Sequence, residues 1–337
     1  MRECSSLEDM KPARSGRRSA WAAASLGASA LCGASALADE SGASAWLPGQ
    51  FASFAAEQGD PGFALETIYY TRSASASSSR TFPIGASLAT GYSLNENYVF
   101  VTPSYTFSDP VLNGQLWLGV TFAVGTADSS VSAVLSGPFG SFASSSGDFM
   151  TGVGDLYPLA TLKWQLGNHN LMTYATAVIP VGAYDATRLA GLGIGHWAVD
   201  GGLGYTFAND AGLELSVTAG VTYNFMNPYT QYQSGVDGHI DWGASIALGD
   251  KLYLGAVGYF YDQLGPDSGP GARLGGFQSR VTAVGPQIGY AIDLGVVHAD
   301  LNLRGYKEFD AQNRPEGWNL WLTLSLSKFR PRAQGRS

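Results

Sequence analysis

Along His196–Leu264 apolar and polar positions alternate with a period of two. The stretch divides into HWAVDGGLGYTF (His196–Phe207), AGLELSVTAGVTYNF (Ala211–Phe225), VDGHIDWGASIAL (Val236–Leu248) and KLYLGAVGYFYDQL (Lys251–Leu264). In the second piece Leu213, Leu215, Val217, Ala219, Val221 and Tyr223 share one parity, and Glu214, Ser216, Thr218, Thr222 and Asn224 the other. In the third, Ile240, Trp242, Ala244, Ile246 and Leu248 alternate with His239, Asp241, Gly243, Ser245 and Ala247. A period of two places successive side chains on opposite faces of an extended strand. These strands run well past the usual length of about five or six residues. They are joined by tight polar turns at Asn209-Asp210 and Gly249-Asp250 and by a longer loop at Met226–Gly235. Long strands, one apolar face and alternating short and long connections predict a transmembrane antiparallel β-barrel, with short periplasmic turns and longer extracellular loops.

The same reading extends to the rest of the chain. It predicts strands at Phe63–Arg72, Ile84–Leu94, Tyr98–Phe107, Gln115–Val124, Ser130–Leu135, Gly154–Leu166 and Asn170–Pro180, and later at Phe277–Ile292, Val296–Glu308 and Trp318–Ser327. With the four above this gives about 14 strands. Turns at Asn95-Glu96-Asn97 and near Ala127-Asp128 carry two of the divisions, and without the short strand Ser130–Leu135 and one neighbour the count is the alternative of 12. Short turns after even strands put both termini on the periplasmic side. Pro286 within a long strand predicts a bulge at Gly285-Pro286, because proline cannot donate to a ladder. Tyr92, Tyr105, Trp164, Trp197, Trp242 and Trp318 are read as outward aromatics near the lipid–water boundaries. A closed sheet is the form in which strands satisfy every backbone group in lipid.

Composition agrees with this picture. The chain has 337 residues, 44 of them glycine, with 14% charged and 12% aromatic. Its mean hydropathy is +0.01, as expected when outward apolar positions offset inward polar ones. No later segment carries about 18 continuous apolar residues, so no spanning helix is expected. Residues 1–38 read as a signal peptide: Arg14, Arg17 and Arg18, an apolar Ala20–Ala36, and the small-x-small site Ala36-Leu37-Ala38. Both cysteines, Cys4 and Cys32, fall within it, so no disulfide or cysteine–metal site is expected beyond it. The leader holds five of 19 basic and three of 27 acidic residues, leaving 14 against 24, a formal −10. That balance disfavours a nucleic-acid partner. Residues 39–61 alternate poorly and read as a periplasmic segment or a plug folded into the barrel mouth. Residues 62–329 form the barrel, and 330–337 a basic tail.

Alternation assigns Glu66, Arg72, Asp155, Lys163, Asp200, Glu214, Asp237, His239, Asp241, His298, Asp300, Arg304 and Glu308 to the lumen, with Arg280 less firmly placed. Tyr98, Phe100, Trp117, Tyr157 and Trp321 also point inward, and could stack on an aromatic solute or fill space. The charges fit either a polar channel wall or a packed interior in which they pair. Asp237, His239 and Asp241 share a face, so a metal or acid–base cluster is conceivable there. A solvated pair is the commoner outcome, and no G-x-S-x-G, H-E-x-x-H or P-loop pattern occurs. The expectation is no enzyme, no metal and no cofactor.

GDLYPLATLKW (Gly154–Trp164), IPVGAYD (Ile179–Asp185), TQYQSGVD (Thr230–Asp237), DSGPGA (Asp267–Ala272), GPQIGY (Gly285–Tyr290) and NRPEGWN (Asn313–Asn319) resemble the protein family named for the meta-pathway of phenol degradation. The resemblance spans essentially the whole chain after the leader. It implies an outer-membrane protein of transporter or porin type, linked to breakdown of aromatic compounds, and transfers no individual site residues. One departure is the end: Phe329 is followed by Arg330–Ser337 rather than closing the chain. The combined expectation is an outer-membrane channel of a Gram-negative bacterium. Its partners would be membrane lipid and small, hydrophobic or aromatic solutes. A general porin, or a closed structural or enzymatic barrel, is the alternative.

Overall fold

The computed structural model describes residues 44–81, 87–138, 140–273, 275–295 and 297–328. The leader, the 330–337 tail and Phe329 lie outside the described residues. Twelve strands follow in order: β1 Gly62–Thr81, β2 Ser87–Thr106, β3 Gln115–Gly137, β4 Gly140–Leu166, β5 His169–Val178, β6 Ala198–Ala208, β7 Leu213–Asn224, β8 Asp237–Leu248, β9 Leu252–Gln263, β10 Arg280–Asp293, β11 Val297–Gln312 and β12 Glu316–Lys328. Each pairs antiparallel with its chain neighbours, and β1 pairs with β12 from Ala64↔Ser327 to Ser75↔Glu316, closing the sheet. Closure leaves no sheet edge in the hydrocarbon layer. Among the described residues no helix is long and apolar enough to cross a membrane.

The burial pattern inverts that of a water-soluble protein. On β7, Leu213, Leu215, Val217, Val221 and Tyr223 are exposed, whereas Glu214, Ser216, Thr218, Thr222 and Asn224 are buried. Apolar residues outside and polar residues inside require a surrounding solvent that is itself apolar.

The count is 12 rather than 14, because both suspected internal turns are continuous strand. Asn95-Glu96-Asn97 lies inside β2, paired with Arg72 and its neighbours on β1, and Ala127-Asp128 lies inside β3. Polar residues that suggest a turn are satisfied here across the sheet: the Tyr69 hydroxyl donates to Asn97 Oδ1 at 3.0 Å, and Arg72 stands 3.7 Å from Glu96. Ser73–Arg80 and Ser136–Asp148, which lie between the strands that the alternation predicts, are largely strand as well, within β1, β3 and β4. Tyr92 consequently shares the inward parity of Tyr98, not an outward one. The connection 107–114 moves to the periplasmic end, where Trp164 Nε1 donates to Leu112 O at 3.0 Å beside the 167–168 turn.

Tight turns at 167–168, 209–212 and 249–251 share the end that holds Gly62 and Lys328, and the loops 179–197, 225–236 and 264–279 occupy the other. Strands β1 to β4 have 20, 20, 23 and 27 residues. At about 3.3 Å per residue and a tilt of about 40°, twenty residues climb roughly 50 Å, twice the ~25 Å apolar band. Their distal halves therefore stand beyond the membrane on the loop side. The expected bulge at Gly285-Pro286 is absent. The β10–β9 ladder runs through Pro286↔Ala256, and the β10 register shift lies between Arg280 and Thr282. Proline removes one donor toward one neighbour only, so the opposite ladder continues.

Candidate functional site

The lumen is occupied by the chain's own residues 44–61. This segment lies outside regular strands, so its backbone polar groups need partners from elsewhere. Inward side chains of the strands supply them. Gly59 N donates to Gln115 Oε1 at 2.9 Å, and Gln115 Nε2 donates back to Gly59 O at 2.8 Å. Lys163 Nζ donates to Glu57 O at 2.9 Å, and Gln58 Nε2 to Lys163 O at 2.9 Å. Ala56 N reaches Thr206 Oγ1, and Phe54 N is shared between Glu214 Oε1 at 2.9 Å and Ser216 Oγ at 3.0 Å. Ser216 and Ser245 both donate to the Glu214 carboxylate, which spends its acceptor capacity on this anchor. Gln287 Nε2 donates to Ser53 Oγ at 2.5 Å.

The segment ends against Trp46, whose indole stacks on His239 (centroids 4.7 Å apart, planes at 19°) and on Tyr261 (5.7 Å, 8°). His239 is flanked by two carboxylates from different strands: Nε2 is 2.9 Å from Asp200 Oδ2, and Nδ1 is 3.7 Å from Asp241 Oδ2. Thr222 Oγ1 donates to the same Asp200 oxygen at 2.6 Å, and the Tyr174 hydroxyl lies 3.2 Å from His239 Nε2. Gly220 makes this crowding possible. A Cβ there would stand 1.9 Å from the Tyr174 hydroxyl and 2.6 Å from His239 Nε2, far inside contact distance.

Beside it, on the β1, β2, β11 and β12 wall, Arg72 is held between Glu96 (3.7 Å) and Glu308 (3.9 Å). Glu308 also accepts from the Tyr259 hydroxyl at 2.9 Å and from Gly317 N at 2.8 Å. Asn319 Nδ2 donates to that tyrosine oxygen, and Trp321 Nε1 donates to Asn319 Oδ1 at 3.1 Å. The Arg304 guanidinium lies 4.7 Å over Trp321, and Tyr70, Tyr98, Phe100, Tyr259 and Tyr306 line the same wall, all buried. Toward the periplasmic end a cavity of about 460 Å³ remains between the inserted segment and the wall, bounded by Glu66, Tyr253, Asp300, Asn302 and Arg304.

At the loop end, Asp155 folds the 179–197 loop inward. Its two oxygens accept from Gly182 N and Ile194 N, each at 2.8 Å, from opposite limbs of that loop. Arg188 braces the same loop on Asp148 at 2.6 Å in the distal extension of β4, and Asp185 accepts from the Thr187 hydroxyl and N–H. These donors hold the Asp185 carboxyl below the usual carboxylate range. Asp155→Ala is expected to leave the barrel folded but to free the loop. Limited proteolysis should then cut within 179–197 faster than in the wild type; unchanged cleavage would show that Asp155 is not the anchor.

Comparison with known proteins follows this geometry. The family model described as "Putative MetA-pathway of phenol degradation" matches residues 75–324. The chain belongs to this family. Among solved structures it is similar to the COG4313 outer membrane channel from Pseudomonas putida F1, with a TM-score of 0.65 and 16% identity, covering 82% of this chain and 100% of that one. The β domain of the Bordetella autotransporter BrkA gives a TM-score of 0.43 at 13% identity (80% and 100% covered), and a FadL homologue from Pseudomonas aeruginosa 0.40 at 10% (79% and 89%). Among curated proteins nothing matches. The first similarity shows that this phenol-degradation family member shares the barrel fold of that protein.

Within this family member, the inward residues fall into separate groups. Asp200, His239 and Asp241 meet around Trp46, and Arg72 and Glu308 meet near Trp321. Glu214 and Lys163 hold the inserted segment, and Asp155 holds a loop. Glu66 accepts from Ser325 near the periplasmic mouth, where His298 bridges Asp293 and Asp300 at 2.8 and 3.0 Å. Trp117 is half-buried against Gly119 on β3. Asp237 does not join His239: it accepts from the Tyr261 hydroxyl and from Asn224. Among the described residues no three His, Cys, Asp or Glu side chains meet in a metal-holding arrangement. Arg280 lies on the opposite parity from buried Val281 and pairs with Asp310 outside the lumen. Sequence reading overlooked Glu96, Tyr70, Tyr174 and Tyr259. Glu96 was detectable, because it continues the even parity of Leu94, Tyr98, Phe100 and Thr102.

Proposed function

We propose that the protein is an outer-membrane channel for small hydrophobic or aromatic compounds, with residues 44–61 acting as a lumen plug and no catalytic role for the lumen charges. The observation that carries this reading is the interior itself: a closed barrel whose lumen is occupied by a hydrogen-bonded segment and walled by buried aromatic rings. Ring faces and apolar edges favour offset contact with aromatic solutes. A general porin needs a wide water-filled lumen. Membership of a phenol-degradation family supports the aromatic preference. Several lumen charges pair with one another or hold the inserted segment, which supports a structural role for them.

The test uses the purified, refolded protein in planar bilayers and in proteoliposomes. The expected result is a small ion conductance together with accelerated entry of phenol or toluene into the vesicles. A large, steady ion current with no acceleration of aromatic entry would instead identify a general porin. A folded barrel giving neither signal would overturn transport altogether.

A further inference from the structure

Acids and bases are not held alike on the lumen wall. Among the described residues three basic groups form ion pairs there, and each is bracketed by two carboxylates. Arg72 stands between Glu96 and Glu308 at 3.7 and 3.9 Å, and His239 between Asp200 and Asp241 at 2.9 and 3.7 Å. At the periplasmic mouth His298 stands between Asp293 and Asp300 at 2.8 and 3.0 Å. A base shared by two acids offers no net positive charge to a passing anion, whether or not the imidazoles are protonated. Lys163 is in the same position: Glu57 and Glu66 both act on it, and its ammonium donates to Glu57 O at 2.9 Å. The acids, by contrast, are also held by neutral donors. Glu214 accepts from Phe54 N, Ser216 and Ser245, and Asp155 from Gly182 N and Ile194 N. Such donors satisfy the carboxylate oxygens without cancelling their charge.

This asymmetry reaches the pathway in the 460 Å³ cavity toward the periplasmic end. Glu57 of the inserted segment, Glu66 of β1 and Asp300 of β11 converge on it from three elements, against Arg304. The Arg304 guanidinium packs over the Trp321 ring at 4.7 Å and acts on Asp241. The Asp300 side chain is 53% exposed, so its charge stands in the water of the mouth. A cleft lined mainly by one sign within low-dielectric walls focuses the field and enriches counter-ions. We propose that the pathway left beside the plug is cation-selective, with Glu66 and Asp300 as specificity-determining residues. It passes small cations and neutral solutes and turns back anions, so that of two aromatic solutes of similar size it admits benzylammonium and rejects benzoate. The proposal rests on the channel reading above and adds a charge rule to it.

Reversal potentials of the full-length protein in planar bilayers under a KCl gradient test it. The expected wild-type result is a K⁺ to Cl⁻ permeability ratio of about ten. Screening shortens from about 10 Å at 0.1 M to about 3 Å at 1 M salt, so the ratio should fall toward one at the higher salt. Glu66→Gln combined with Asp300→Asn keeps the shapes, removes two charges from the cavity wall and should lower the ratio several-fold. Asp250→Asn removes a charge from the 249–251 turn, off that wall, and should leave it unchanged. A wild-type ratio near or below one, no ion current, or a double variant with the wild-type ratio would each overturn the proposal. So would Asp250→Asn lowering the ratio as much as the double variant, or benzoate entering proteoliposomes as fast as benzylammonium. If the double variant does not fold, the wild-type ratio and either single substitution still decide. Toluene entry into the same vesicles separates the two readings. Entry that persists while the ratio stays near one removes only the charge rule; absent entry removes the channel.

Discussion

Deletion of residues 44–58 is expected to raise single-channel conductance several-fold. A barrel of about eight strands is just wide enough for its own side chains to fill. Twelve strands enclose more, and here the surplus is taken up by the inserted segment. Without it, Glu214, Lys163, Gln115 and Asp241 would face water, which satisfies them at little cost. The barrel itself is closed by the β1–β12 ladder, which begins at Ala64 and so survives the deletion. Retained heat-modifiable migration on gels would verify folding. Trp46→Ala, which removes the stack on His239 and Tyr261 and the edge contact with Tyr259, should give an intermediate rise. A deletion variant that folds and conducts like the wild type would show that residues 44–61 do not limit the pore, and the plug assignment would fall.

Arg72→Met is expected to cost about 3–5 kcal/mol of barrel stability. Arg72 and Glu308 are 6% and 0% exposed, and the methionine would remove the cation between Glu96 and Glu308, with Arg314 left acting on Glu96. Two buried carboxylates that lose their shared cation outweigh the small gain in apolar packing. Urea titration in lipid vesicles, followed by tryptophan fluorescence, reads the loss. Combining Arg72→Met with Glu96→Gln and Glu308→Gln should recover much of it, because neutral groups of the same shape no longer repel. A single variant with the wild-type midpoint would mean that water already screens these charges, and the packed description of this wall would be wrong.

The inward and outward faces were legible because side-chain direction is a local property. On β7 every predicted polar position is buried and every large apolar one exposed. The same logic misplaced Tyr92, because a turn was inserted where the polar run Asn95-Glu96-Asn97 interrupts the apolar pattern. Those residues remain strand because partners on β1 satisfy them, information that lies some 25 residues away in the chain. Of the candidate site, the membership of the lumen was readable, while its division into groups was not. Asp237 and His239 are neighbours on one face yet serve different networks, since each takes its partner from another strand.

By itself the sequence determined the barrel class, the inward and outward faces of strands such as β7, and the family. All three follow from periodicities and motifs read within short windows. The tertiary structure decided two things: that twelve strands close the sheet, and that Trp46 meets His239 between two aspartates. Each depends on register and closure between distant segments, and hydrogen bonds across a sheet fix these, whereas alternation along one strand is blind to them.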